Sequence, residues 1–253
     1  MSDDRADSAG VPWAGRRFEP NPAAADDGSA PQQLIEAIRR FEAGEVGETE
    51  VVDALRGARL LVPLLAVAGE EGLDSRGRRV DKTQELSIVT VAAPDGRTVQ
   101  PAFTSVEALT RWNPAARPVP VIAERVALAA AGEQTDLVVL DPTSPTEFVV
   151  RRPALWALAQ QRPWMPAYAD PEVLEAVMSG ISTEPDAAAV QLAPGDPRAR
   201  LAGPEVVVHL GLRPGLDRAE LDGLLQRAGA AWSAHPVIAE RVDSMRIAIA
   251  PAP

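Results

Sequence analysis

Hydrophobic and polar positions alternate between two grammars along this chain. Residues 32–42 carry Leu34, Ile35, Ile38 and Phe41 at helical spacing on one face, and Gly44 and Gly47 close the segment. Thr49 is placed to cap a second short helix, with Val51, Val52 and Leu55 inward and Gly57 as its stop. The period then changes. Residues 59–67 form an apolar run of strand length interrupted by Pro63, and the charged, Gly-rich stretch 69–82 reads as a loop. Leu86, Ile88, Val89 and Val91 make the next strand signal, Pro94-Asp95-Gly96-Arg97 a turn, and residues 98–103 the returning strand of a hairpin. Pro101 cannot donate to a ladder, which places that strand at an edge or a bulge.

The least generic run is Gln100 to Pro114, QPAFTSVEALTRWNP, which joins this strand to a helix. Thr104 is expected as N-cap with Glu107 closing a capping box, Val106, Leu109 and Trp112 share one face, and Asn113-Pro114 ends the helix. Further on, residues 122–133 predict a helix with Val126 and Leu128 inward. Residues 137–140 predict a strand, 141–145 a turn, and 147–150 its hairpin partner. A helix opens at Arg152-Pro153 and runs to about Gln161. Pro163-Trp164-Met165-Pro166 interrupts it, and residues 171–180 give another helix. The polar run Thr183 to Asp186 is the best domain boundary. Beyond it, strands at 187–192 and 205–210, a helix capped by Asp217 and Glu220 with Leu221, Leu224 and Leu225 inward, and a strand at 245–250 give a β-β-α-β unit. The heptapeptide Pro-Val-Ile-Ala-Glu-Arg-Val occurs at both 120–126 and 236–242. A domain duplication and a shared helix-start requirement are both open explanations.

The expected fold is α+β, with two mixed sheet-and-helix domains behind a disordered acidic N-terminal tail. The tail covers residues 1–30, a first domain 31–162, a helical linker 163–185, and a smaller second domain 186–253. Within the tail, Trp13 and Phe18 flank Arg16-Arg17, a docking segment for a partner or for the protein's own surface; the plainer reading is aromatics resting loosely on the domain.

Composition narrows function mainly by exclusion. A net charge of −11 disfavours general nucleic-acid binding. The absence of cysteine removes disulfides, thiol catalysis and thiolate metal sites. The N-terminus has neither a basic n-region nor an apolar h-region, and no apolar run approaches the ~20 residues that span a bilayer, so a cytoplasmic, non-membrane protein is expected. A lone lysine, Lys82, beside abundant Ala and Pro points to genomic base composition rather than to function.

The turn PDGR, the run PAFTS-EAL-RW, the helix ERVALAAA and the strand LVVLDP together resemble the N-terminal domain of the SseB (enhanced serine sensitivity) family, over roughly residues 58–150. Residues 186–250 are similar in outline to the family's smaller second domain. The resemblance implies the fold and a serine-sensitivity phenotype, with no reaction and no catalytic residues attached.

Chemistry-bearing residues are sparse. His209 and His235 are the only histidines and lack the i, i+4 spacing of a helical metal site, so no metal and no cofactor is expected. The serines lack a Gly-x-Ser-x-Gly elbow, and no P-loop or dinucleotide fingerprint occurs. Thr104, Ser105, Arg111 and Trp112 are the candidate binding residues, as a groove for a partner protein or a small ligand; capping and helix packing account for part of that set without function. The leading expectation is a non-enzymatic binding or regulatory protein that meets a protein partner there. The alternative is a small-molecule or anion binder, or an enzyme, at the Gly211–Asp217 turn before a helix N-terminus or in a crevice near Asp141 and Thr143.

Overall fold

The computed structural model describes residues 26–67, 71–73, 79–81, 85–93, 96–132, 135 and 137–251. Trp13, Phe18 and the tail expectation for residues 1–25 lie outside them. The first half runs α1 (Gln32–Glu42), α2 (Glu48–Leu55), β1 (Arg59–Val67), β2 (Glu71–Leu73), β3 (Arg79–Asp81), β4 (Glu85–Ile88), β5 (Val91–Ala92), β6 (Thr98–Ala102), α3 (Val106–Trp112), β7 (Arg117–Ile122), α4 (Ala123–Gly132), β8 (Leu137–Leu140), β9 (Phe148–Arg151) and α5 (Arg152–Ala159). The second half adds a 3₁₀ turn at Ala167–Ala169, α6 (Pro171–Gly180), β10 (Ala187–Pro194), β11 (Val206–Leu212), α7 (Arg218–Ala234), α8 (Pro236–Arg241) and β12 (Met245–Pro251). The chain is α+β.

Two strips of sheet organise the first half. One has the order β4-β1-β7 and the other β5-β6-β8-β9, with β6 and β8 parallel. Leu61 and Phe103 stitch them together, each N–H donating to the other's carbonyl, at 2.7 and 2.8 Å. Pro63 has no N–H to offer on that side of β1, and it falls between this bridge and the start of pairing with β4 at Leu64. Pro101 likewise lies past the end of β5, whose pairing with β6 stops at Val99. The stretch 69–82, expected as a loop, includes the antiparallel pair β2–β3.

One sheet face is covered by α1, α2, α4 and α5, through Leu34, Ile38, Val52, Leu55, Val126, Leu155 and Leu158. Phe41 stands edge-on to Phe148 there, with ring centroids 5.3 Å apart. Short α3 covers part of the opposite face, closing Leu61, Phe103 and Leu109 under Trp112. Three local expectations need correction. Helix α2 starts at Glu48 with Gly47 as N-cap, because the Glu50 carboxylate accepts the Gly47 N–H, so Thr49 is inside the helix. Leu128 is 64% exposed, because Ala123, Val126, Ala127 and Ala130 set the buried stripe of α4. Residues 26–30 are fixed: Asp26 pairs with Arg59, and the Arg59 guanidinium also donates to the Ser29 carbonyl.

The second core packs the 3₁₀ turn, α6, α7 and α8 on the sheet β10-β11-β12, in which β11 runs antiparallel to β10 and parallel to β12. Val206, Val208, Leu210 and Leu212 meet Leu224, Ala228 and Trp232, and the Trp232 indole donates to the Val177 carbonyl at 2.9 Å. Residues 163–185, expected as a helical linker, therefore hold α6, whose Val173, Ala176 and Val177 are core residues of this second body. The heptapeptide adopts two structures: strand then helix at 120–126, helix almost throughout at 236–242. Pro120 sits opposite Leu61 in a sheet, whereas Pro236 takes the first helical position. The copies do not share a helix start.

The two cores meet at a buried charge cluster. Arg151, at the end of β9, donates from Nη2 to Asp196 Oδ2 at 2.8 Å and from Nη1 to Asp243 Oδ2 at 3.0 Å, with all three side chains almost fully buried. Arg97 also reaches Asp243, at 3.0 Å. Asp196 belongs to a clasp, residues 195–205, that seats Ala199 and Leu201 against the first half's core. The clasp is tight enough that a Cβ on Gly203 would come within 2.4 Å of the Gly195 carbonyl oxygen. Beside it, Glu205 accepts the Asp243 N–H at 2.6 Å and the Ala167 N–H at 3.3 Å, and Tyr168 donates to Glu48 at 3.1 Å. Burial pushes the Glu205 carboxyl up to about 7, with Asp243 adding to the rise while the two N–H groups and Arg151 oppose it. Burial also raises Glu48.

Two outcomes follow from this packing. Phe103→Ala should cost ~3–5 kcal/mol in urea unfolding, as large aromatic core deletions do. Leu128→Ala should stay within about ±0.5 kcal/mol, as exposed changes do. Equal costs would contradict the placing of Phe103. For Glu205, the folded carboxyl lies above the ordinary 4.5, so the native state holds the proton more tightly than the unfolded chain. The contribution of Glu205 to stability should be fully present below about 4.5, fall as pH rises towards 7, and be lower by on the order of 3 kcal/mol above that. Unfolding measured from pH 5 to 8 should show that slope in the wild type and lose most of it in Glu205→Gln; identical slopes would contradict the burial account.

Candidate functional site

The four residues singled out from sequence separate in space. Thr104 is buried, its N–H and Oγ1 both donating to the Asp141 carboxylate at 2.7 Å. Thr146 Oγ1 donates to the same carboxylate at 2.7 Å. This knot ties the carboxyl end of β6 to that of its parallel neighbour β8, with Asp141 and Thr143 both at positive φ. The helix cap moves one residue on: Ser105 Oγ accepts the Ala108 N–H at 3.1 Å, and Thr104 is not the N-cap. Arg111 is exposed and paired to Glu107 at 2.6 Å, while Trp112 is half-buried with its ring 5.2 Å from Phe103. Thr104 and Ser105 are thus consumed by the fold, and Arg111 and part of Trp112 remain at the surface at the end of α3.

The alternative sites are similarly occupied. The crevice expected near Asp141 is filled by the knot, in which one backbone N–H and two threonine hydroxyls donate to a buried carboxylate. At the start of α7, Asp217 accepts the Glu220 N–H at 2.9 Å and Glu220 accepts the Asp217 N–H at 2.8 Å, the capping box expected from sequence. The chain's own carboxylates take the place an anion would need. His209 is exposed on β11, and His235 lies between α7 and α8. Among the described residues no group of three or more His, Asp and Glu is arranged to hold a metal ion.

A cleft of about 290 Å³ lies elsewhere, where α5 faces the second core. The chain builds it as it crosses from one core to the other. Gln161, at positive φ, ends the turn after α5, and Pro163-Trp164-Met165-Pro166 then bridges the gap in a conformation that two prolines keep out of helix. Its floor and walls are Pro153, Trp156, Trp164, Met165 and Pro171. Trp156 is 44% exposed and Met165 48%, and the indole Nε1 of Trp164 is buried without a hydrogen-bond partner. Arg152 lies 5.8 Å over the Trp156 ring and donates to the carbonyls of Ala239 and Val242 at the end of α8, which fixes α5 against the second core.

The rim is charged. Arg241 pairs with Asp170 and Glu172, both at 2.9 Å, and Asp170 is also the N-cap of α6. Arg162 and Glu240 complete it. An apolar aromatic floor with a polar rim is the anatomy of a recognition surface. Sequence reasoning passed over these residues. Its one available signal was the Pro-Trp-Met-Pro run, two large apolar side chains in a segment that can be neither helix nor strand.

The matched region and the fold agree. Residues 33–157 match the family model described as the SseB protein N-terminal domain, which spans α1 to nearly the end of α5. No curated protein and no solved structure matches the chain. The second core, including residues 186–250, lies outside the match. The chain thus carries, over residues 33–157, the N-terminal domain of the SseB family, with the hairpin, the Leu61–Phe103 bridge and the Thr104–Asp141 knot inside it.

Proposed function

We propose that the chain is a non-enzymatic binding or regulatory protein that recognises an extended segment of a partner protein in the cleft between α5 and the second core. The carrying observation is the cleft itself: Trp156 and Met165 both exposed in its lining, Trp164 with them, and a rim of Asp170, Glu172, Glu240, Arg162 and Arg241. Buried aromatic and Met anchors ringed by polar groups are where binding energy concentrates. The opening admits a few side chains of a peptide. The polar residues that could have served chemistry are committed to caps, the knot and the junction, which favours binding over catalysis. An acidic chain without cysteine suits a cytoplasmic setting.

Affinity capture from native lysate tests this with three baits. The wild type should capture a partner. Trp156→Ser combined with Met165→Ser should stay folded, since both side chains are substantially exposed, and should lose that partner. Arg111→Ala combined with Trp112→Ala should keep it. Loss of the partner only in the Arg111/Trp112 bait would move the recognition surface to the end of α3 and overturn the cleft.

A further inference from the structure

We infer that the cleft is occupied in the resting protein by the chain's own segment Val11 to Phe18, VPWAGRRF, so that a partner binds by displacing it. This rests on the cleft being a recognition site and adds how that site is regulated. Three observations carry it: the chemistry of the segment, the chemistry of the cleft, and the point at which the chain leaves the described structure.

The segment holds two aromatic anchors, Trp13 and Phe18, around Arg16-Arg17, in a stretch otherwise rich in Ala, Asp, Pro and Gly. The cleft offers the complement: an apolar floor of Trp156, Met165 and Trp164, and a rim on which Asp170 and Glu172 pair with Arg241 and the Glu240 carboxylate stands beside Arg162 in the lining. Arg16-Arg17 faces a molecule of net charge −11, so long-range attraction acts in the same direction as the local fit.

Reach is satisfied. Asp26 is held by Arg59 at 2.9 Å, and Arg56, three residues earlier, donates to the carbonyl of the cleft residue Arg162 at 2.6 Å. Two arginine side chains and three residues of backbone therefore separate the anchored end of the segment from the cleft rim. The fourteen residues from Trp13 to Asp26 can extend to roughly 40 Å, well beyond that distance. The Asp26–Arg59 pair, the Ser29 carbonyl on Arg59 and the Gly28 carbonyl accepting the Val106 N–H at 2.9 Å form a strap that fixes where the tether begins. Tethered this closely, a weakly binding segment acts at an effective concentration on the order of millimolar. That is sufficient to fill the cleft while leaving it open to a tighter competitor.

The test is a titration of a fluorescently labelled peptide of residues 8–19, SAGVPWAGRRFE, against three full-length proteins of verified secondary structure. Wild type, with its cleft filled in cis, should bind the peptide weakly. Trp13→Ala combined with Phe18→Ala empties the cleft and should bind it at least roughly tenfold tighter, the scale of a lost anchor. Adding Trp156→Ser and Met165→Ser to that variant should abolish binding. Equal affinity in the first two proteins, absence of binding to all three, or binding that survives the cleft substitutions would each overturn the inference. A wild-type dimer that dissociates in Trp13→Ala/Phe18→Ala would place the segment in the cleft of a second copy and overturn occupation in cis. If the peptide fails while the cleft substitutions still abolish partner capture, the segment is the wrong occupant and the recognition site stands.

Discussion

Arg151 is the constraint on which the arrangement depends. A guanidinium taken out of water is costly, and it is tolerable here because its planar fork meets Asp196 on one prong and Asp243 on the other. Those two carboxylates belong to different parts of the second half, the clasp before β11 and the turn before β12. One side chain at the end of β9 therefore fixes the strand ends of the second sheet against the first core. Removing it would leave two buried carboxylates short of their partner, which ordinarily destabilises by ~3–5 kcal/mol. Glu205, protonated more readily than an ordinary carboxyl, sits in the same cluster, so the junction is also where pH enters stability.

The cleft is a consequence of that junction. Arg152, the next residue, reaches over Trp156 to the carbonyls at the end of α8, and Arg241 at that same end of α8 holds the start of α6. The walls come from both cores, so the cleft has a defined shape only when the cores are in register. A site built in this way is sensitive to anything that loosens the junction, and its aromatic floor stays at the surface because neither core alone is positioned to cover it.

Part of the fold was legible because its determinants are local. The apolar face of α1, the β5–β6 hairpin and the Asp217–Glu220 capping box all follow from spacings of a few residues. The larger errors share a cause, a partner distant in sequence. Thr104 satisfies the capping rule, yet Asp141, thirty-seven positions on, claims its hydroxyl, and the cap passes to Ser105. Residues 171–180 have a helix's periodicity, but which core receives that helix depends on Trp232 and Val206. The repeated heptapeptide is the sharpest instance, with identical residues made strand-then-helix by pairing to β1 and helix by their place after α7. The cleft was illegible for the same reason: Trp156 and Met165 stand 75 to 85 positions from Glu240 and Arg241, and no local pattern joins them.

The central claim is that Arg151, by pairing with Asp196 and Asp243 together, holds the two cores in the register that forms the cleft. Hydrogen–deuterium exchange on Arg151→Lys tests it most directly, because lysine keeps the charge and loses the two-pronged geometry. The account predicts faster exchange in β9, in the clasp 195–205, around Asp243 and in the cleft segment 162–172, with the interiors of α1 and α7 unchanged. Unaltered protection across those junction segments would contradict it.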